Sequence, residues 1–186
     1  MTHTIKQTLR RFWQRENGSA TIEMLVFAPF LLWLMSAMFT YHDAVRMKSI
    51  NVKAAYSVGD VLSRETDPIN DDYMDGMETL LQFLTRSTEP VSLRVTFLRW
   101  NNKKQKYVRE WSKVRGDDFT ALKTWQLKGM AGSIPDLLHN ERVIMVETRA
   151  QYTPTFTNIG LEKQDMYNLV VTRPRFTPRL VWDAGT

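Results

Sequence analysis

Residues 24–41 read MLVFAPFLLWLMSAMFTY, an apolar run without a charged side chain. An α-helix of this length is about 27 Å long, close to the roughly 30 Å hydrocarbon core of a bilayer. In the segment before the run, at positions 1–18, basic residues outnumber acidic ones by four to one. By the positive-inside rule, this charge predicts a cytoplasmic N-terminus and a single span, with the rest of the chain across the membrane.

Two other kinds of N-terminal segment share this hydropathy. A secretion signal has an apolar region of about 7–15 residues followed by an A-x-A-like cleavage site. The run at 24–41 is longer than this, and no such site follows it. An uncleaved signal anchor fits the hydropathy but gives no reason for the sequence Gly18-Ser19-Ala20-Thr21-Ile22-Glu23 that precedes the run. This hexapeptide therefore distinguishes a plain anchor from a more specialised segment.

Glu23 places a carboxylate at the head of the apolar helix, five positions after Gly18. An ionisable group at the mouth of a span is costly unless it is paired, which makes Glu23 a candidate functional residue. Cleavage after Gly18 would create an ammonium group at Ser19, one helical turn from Glu23 on the same or a neighbouring subunit. The other interpretation is an interfacial glutamate that is simply favoured by the helix dipole.

The segment from Arg11 to Pro29 combines a basic and aromatic tract, Gly18, small residues, Glu23 and a proline inside the span. It resembles the opening of TadE-like (TadE/TadF-type) pseudopilins of the tight-adherence (Flp) type IV pilus assembly system. The tail Thr172-Arg173-Pro174-Arg175 is similar to the arginine-proline-arginine tail common in that family. Major Flp pilins are far shorter and usually carry tyrosine after the glutamate, so the resemblance implies a minor pseudopilin.

Such a resemblance implies that the chain takes part in assembly or initiation of a pilus for adhesion and surface attachment. Prepilin peptidase would cut between Gly18 and Ser19, and Glu23 and Pro29 would act in assembly. The other implied partners are the Flp pilin, a second pseudopilin, an assembly ATPase and platform proteins of the bacterial inner membrane. The expected divisions are a leader at 1–18, a transmembrane and amphipathic assembly helix at 19–64 and a periplasmic or extracellular domain at 65–186.

The helix is predicted to continue past the apolar run as far as Arg64, because apolar and charged residues then occupy separate faces at a period of 3.6. The alternative is a span and a separate surface helix, with a break at His42-Asp43. A second helix is predicted to start at Asn70 or Asp71, with a core-facing stripe formed by Met74, Met77, Leu81 and Leu84.

Alternating apolar and polar residues then predict strands in four segments, at 92–97, 106–112, 142–152 and 166–173. The first two should form a hairpin, and all four an antiparallel sheet with one face against the long helix. Helical structure is also expected at 118–130 and in a short helix from Ser133 to about Asn140. The predicted fold class is therefore α+β, with a pilin-like long N-terminal helix packed on a small sheet.

The hairpin concentrates basic and aromatic residues, a composition that binds single-stranded nucleic acid or acidic polymers. On the predicted topology it lies outside the cytoplasm, which favours a partner subunit, anionic lipid or surface polysaccharide over nucleic acid. A solvated hairpin whose aromatic residues face the core is the other interpretation. The candidate partner-binding residues are Arg99, Trp100, Lys103, Lys104, Lys106, Tyr107, Arg109 and Trp111.

Composition and motifs favour a protein that is not an enzyme and has no cofactor. The chain has no cysteine, which excludes disulfides, thiolate metal sites and cysteine nucleophiles. Phosphate-binding, zinc-protease and hydrolase motifs are absent from the sequence. Asp71, Asp72 and Asp75 form a D-D-x-x-D pattern, but acids in the first turn of a helix also favour its dipole. No metal site is therefore predicted.

Overall fold

The computed structural model describes residues 19–184, with side chains described from Thr21 onward. The predicted leader at 1–18, including Gly18, and the side chain of Ser19 lie outside the described residues. Within the described part the fold is α+β, as predicted. Its elements are α1 (Ser19–Arg64), α2 (Asp71–Thr85), β1 (Val91–Asn101), β2 (Lys106–Arg115), a 3₁₀ helix (Gln126–Ser133), β3 (Arg142–Tyr152) and β4 (Gln164–Thr172).

Helix α1 has 46 residues and no break at His42-Asp43, so the prediction of one continuous helix is confirmed. It ends where the Glu65 carboxylate accepts hydrogen bonds from the backbone N–H groups of Thr66 and Asp67, at 2.9 and 3.1 Å. Pro68 follows and cannot continue a helix. The chain forms two compact units, one made of the helix up to Asp43 with Pro154–Glu162, the other of Ala44–Thr153 with the chain from Lys163.

The four strands form one antiparallel sheet in the order β2-β1-β3-β4. The strands β2 and β4 extend from 106 to 115 and from 164 to 172, close to the predicted ranges. The pairing of β1 with β2 shifts between Phe97 and Leu98, which face Trp111 and Arg109 respectively and leave Glu110 as the extra residue of a bulge. The bulge changes which face of the sheet the following side chains occupy.

One face of the sheet packs against both helices. Leu93, Val95 and Phe97 of β1 are fully buried there with Val58 and Leu62 of α1. Each such side chain contributes about 1.5–3 kcal/mol by leaving water. Helix α2 adds Met74 and Leu81 as buried residues, with Met77 and Leu84 partly buried beside them, so the predicted core stripe is confirmed.

The C-terminal tail also belongs to this core. Leu180 is buried, and its carbonyl oxygen accepts a hydrogen bond from Nε1 of Trp111 at 2.9 Å. The tail pairs with the chain before α2, where Ile69 N–H donates to the carbonyl oxygen of Val181 at 2.9 Å. Within the Thr172-Arg173-Pro174-Arg175 motif, Arg173 pairs with Glu141 at 2.6 Å and the Arg175 N–H donates to the Ser63 carbonyl at 2.7 Å. This motif therefore fastens the tail to the domain.

The other face of the sheet is covered by the connection between β2 and β3. Leu122, Leu127 and Ile134 of this connection are buried against Leu98 and other residues of the sheet in a second core. The prediction of helices at 118–130 and from Ser133 to about Asn140 is wrong, because only a 3₁₀ helix at Gln126–Ser133 forms in this segment. Contacts with the sheet select a largely irregular path over the local helical tendency.

Gly116 follows β2 in a left-handed conformation with φ of 76°. A Cβ atom there would lie 2.6 Å from the carbonyl oxygen of Val91 and 2.9 Å from Cα of Ser92, both backbone atoms that cannot turn aside. We expect Gly116→Ala to destabilise the domain by about 2 kcal/mol or more, measured by thermal or chemical unfolding. The control is Gly76→Ala inside α2, which meets nothing within 4 Å and should stabilise by up to about 1 kcal/mol.

Candidate functional site

The first candidate site is the apolar part of α1. It is almost bare of protein contacts, since 6% of its most apolar window is buried. Within residues 19–184 it forms the one helix that is long and apolar enough to cross a membrane. The exposed large side chains include Met24, Leu25, Val26, Phe27, Phe30, Leu31, Leu32, Trp33, Leu34, Met35, Met38 and Phe39. Such a surface requires either lipid or other apolar helices around it.

The predicted assembly residues lie at the start of this surface. Ser19 is the first residue of α1, and Glu23 is exposed in the second turn of the helix. Pro29 is exposed inside the helix, which continues through it. Because proline has no backbone N–H, it removes one hydrogen bond of the helix and frees a carbonyl group one turn earlier.

The loop Pro154–Glu162 contacts the C-terminal end of the apolar segment within the same compact unit. The ring of Phe156 meets that of Phe39 edge-on, with centroids 6.4 Å apart. A notch of about 330 Å³ is lined by Leu32, Trp33, Ser36 and loop residues 155–159. This contact could not be predicted from local patterns, because the loop lies more than a hundred positions away from the helix segment.

The basic and aromatic residues of the hairpin do not form one surface. Trp111 is buried in the helix-side core, where its ring stacks on Phe97 with centroids 5.8 Å apart. Arg99 is held by the carboxylate of Glu110 at 3.5 Å and donates to the side chain of Asn140 at 2.9 Å. Of the eight candidate residues, Trp111 thus faces the core, which agrees with the alternative interpretation of the hairpin, and Arg99 is held in an ion pair. Arg109 is partly buried, and Lys103 and Lys104 are exposed in the turn.

The Glu110 carboxylate is the centre of a charged cluster on the helix side of the sheet. It lies 2.8 Å from Nε of Arg142 and 3.3 Å from Nε of Arg179, in addition to Arg99. Its side chain is 12% exposed. One carboxylate therefore joins β1, β3 and the C-terminal tail, and the bulge in β2 is what brings it to this face.

Trp100, Lys106 and Tyr107 do line a common site, a groove of about 710 Å³ on the other side of the sheet. The rings of Trp100 and Tyr107 meet edge to face, with centroids 4.8 Å apart. The remaining lining residues are Gln105, Thr124, Trp125, Lys128, Ala131 and Asp136. Burial, and secondarily the negative charge of Asp136, raise the pKa of the Tyr107 hydroxyl, so it stays protonated as a hydrogen-bond donor. We call this site the aromatic groove.

Half of the aromatic groove comes from a segment that the sequence analysis assigned to helices. Trp125, which is 72% exposed, Lys128 and Asp136 all lie in the connection between β2 and β3. A tryptophan with a lysine three positions later is too common a pattern to mark a binding site. Only the packing of the connection against Leu98 and Tyr107 brings these residues opposite the hairpin.

Two acids of the D-D-x-x-D pattern, Asp71 and Asp75, form ion pairs with Arg115. Asp71 Oδ1 lies 2.8 Å from Nη2 of Arg115, and Asp75 pairs with Nε of the same guanidinium group. These contacts fasten α2 to the end of β2. In the described part of the chain, no cluster of three or more acidic or histidine side chains is arranged to hold a metal ion.

No protein-family model, curated protein or solved structure matches the chain.

Proposed function

We propose that the chain is a TadE-like minor pseudopilin, which takes part in assembly or initiation of a Flp pilus. The observation that carries this proposal is the difference in exposure between the two ends of α1. Its apolar N-terminal part is exposed, whereas Ala54, Ala55, Val58 and Leu62 further along the same helix are buried in the domain core. A single helix thus joins an apolar surface, suited to other helices, to a folded outer domain.

Assembly would depend on the paired charges at the start of α1. After cleavage behind Gly18, the ammonium group of Ser19 on one subunit would pair with the Glu23 carboxylate of a neighbour. In a medium of low dielectric constant the attraction between two such charges is strong, and an unpaired carboxylate there is costly. The pair would fix the axial register of packed helices, while the exposed apolar residues supply the contact area.

The proposed location is the bacterial inner membrane, with the N-terminus in the cytoplasm and the domain in the periplasm or on an extracellular pilus. The proposed span is the apolar run at 24–41, whose helix is about 27 Å long and has Leu31 near its middle.

The proposed partners follow from the same function. A prepilin peptidase would remove the leader, the Flp pilin and a second pseudopilin would contact α1, and the ATPase and platform proteins of the inner membrane would drive insertion into the filament. No cofactor and no catalytic activity of the chain itself are part of this proposal.

The proposal is tested by the N-terminal sequence and intact mass of the protein from its native membrane. We expect a mature chain that begins at Ser19, and Gly18→Phe should abolish its formation. Glu23→Ala should leave processing intact and reduce surface pili at least tenfold, because the subunit loses its register. The control is Glu89→Ala, an exposed carboxylate in the outer domain, which should assemble normally. Normal pili from both the Gly18 and Glu23 variants would contradict the proposed mechanism.

The aromatic groove favours a second function. In that alternative the chain is an uncleaved signal-anchored envelope protein that binds an anionic ligand or partner through the hairpin. The groove supplies a concave site for this role with Trp100, Lys106 and Tyr107 in its lining. An intact N-terminus together with unimpaired function of Gly18→Phe would favour this alternative.

A further inference from the structure

We propose that the aromatic groove is a binding site for an acidic saccharide, a pyranose unit of a carboxylated polymer. The inference goes beyond pilus assembly and does not depend on processing of the N-terminus. The groove of about 710 Å³ lies within the range of roughly 300–1,000 Å³ found for small-ligand sites. Exposed aromatic faces, flexible cations and hydrogen-bonding groups meet there in one concavity.

The aromatic walls account for recognition of a ring-shaped ligand. Trp125 is 72% exposed, although burial of a tryptophan side chain would be strongly favourable, so its face is free to stack on a ligand. Trp100 and Tyr107 support each other through their edge-to-face contact and are held in the sheet as a paired position of β1 and β2. A pyranose ring presents flat patches of C–H groups that match such faces, with its hydroxyl groups directed to the rim.

The polar lining accounts for the hydroxyl groups and for the charge. Thr124 can both donate and accept hydrogen bonds, and Asp136 accepts them, which suits vicinal hydroxyl groups. The side-chain nitrogen of Gln105 donates to Asn102 at 2.6 and 2.8 Å, which leaves its side-chain oxygen as an acceptor for a ligand. Lys106 and Lys128 outnumber the one carboxylate, so a cationic ligand such as a quaternary ammonium is disfavoured and a carboxylated sugar is favoured.

The test is isothermal titration of the full chain in nanodiscs of zwitterionic lipid. Tetragalacturonate is the probe, maltotetraose is its uncharged counterpart and an eight-residue oligothymidylate is the competitor. We expect tetragalacturonate to bind at least tenfold more tightly than maltotetraose. Trp125→Ala should weaken this binding at least tenfold while leaving the unfolding temperature unchanged, since the side chain is mostly exposed. Phe83→Ala, at an aromatic residue that is 77% exposed outside the groove, is the matched control.

The charge preference is tested by two double variants with the same change in net charge. Lys106→Gln with Lys128→Gln should remove the preference for tetragalacturonate over maltotetraose. Lys103→Gln with Lys104→Gln, in the turn outside the groove, should keep it. Equal effects of the two double variants would reduce the result to general electrostatic attraction and would overturn the proposal. Tighter binding of the oligothymidylate, or no binding of tetragalacturonate by the folded wild-type chain, would also overturn it.

Discussion

Glu147→Ala is expected to destabilise the domain that contains the sheet by about 3–5 kcal/mol, because it would leave the guanidinium group of Arg94 without its partner in the interior. The two residues face each other in the pairing of β1 with β3. Nε and Nη2 of Arg94 donate to the two carboxylate oxygens of Glu147, each at 2.6 Å. The side chains are only 12% and 1% exposed, so water cannot replace either partner.

Additional contacts explain why this pair is tolerated on the second face of the sheet. The third nitrogen of Arg94, Nη1, donates to the Thr120 carbonyl at 2.8 Å, and the ring of Phe119 lies 4.8 Å from the guanidinium carbon. The hydroxyl of Tyr167 donates to Glu147 at 2.8 Å. Burial, followed by the Glu147 carboxylate, raises the pKa of Tyr167, so that this donor stays protonated. The pair thus anchors the start of the connection that forms the aromatic groove.

The measurement is thermal or urea unfolding of the full chain in nanodiscs, monitored by a spectroscopic signal from the domain that contains the sheet. Arg64→Ala is the matched control, because it breaks the ion pair of Arg64 with Asp60, which is 57% and 41% exposed, and should cost less than about 1 kcal/mol. Similar small effects for both variants would show that water reaches the buried pair. We also expect Glu147→Ala to weaken ligand binding in the aromatic groove, because the connection between β2 and β3 carries Trp125 and Lys128.

The sequence was sufficient for the fold class because its signals are local. The apolar run, the period of 3.6 along α1 and the stripe of Met74 and Leu81 in α2 each depend on residues within a few turns. The four strands were also predicted, because alternation needs only neighbouring residues. These patterns can be recognised without knowing which distant residues pack against each helix or strand.

The aromatic groove was only half predicted because it depends on contacts between distant segments. The bulge at Glu110 shifts the register within β2, so that Trp111 enters the helix-side core while Tyr107 faces the opposite side. No residue type in the hairpin requires a bulge at this position. In the same way, Leu122, Leu127 and Ile134 are spaced irregularly and acquire their role only through the sheet they cover. The basic and aromatic residues of the hairpin are therefore divided between the core, ion pairs and the aromatic groove.

Leu31→Lys is expected to remove the chain from the membrane. At the centre of a span, leucine favours insertion by about 0.5 kcal/mol and lysine opposes it by about 2.5–3.5 kcal/mol. The substitution therefore costs about 3–4 kcal/mol, a factor of several hundred in the insertion equilibrium. Leu31 is suited to the test because it is 58% exposed and does not line the notch with the loop Pro154–Glu162. Pro29, two residues away, already removes one backbone hydrogen bond from this part of the helix.

The measurement is the fraction of the chain that resists alkaline extraction from membranes, together with protease protection of the N-terminus. Tyr56→Lys is the matched control, since Tyr56 lies on the same helix beyond the apolar run and is 62% exposed. Adding a lysine there should leave extraction unchanged. If α1 acts as a membrane span, a lysine at position 31 should release the chain from the membrane, whereas a lysine at position 56 should not. If the apolar segment is instead covered by a partner protein in water, alkaline extraction should release the wild-type chain as well, and this result would contradict the proposed assembly mechanism.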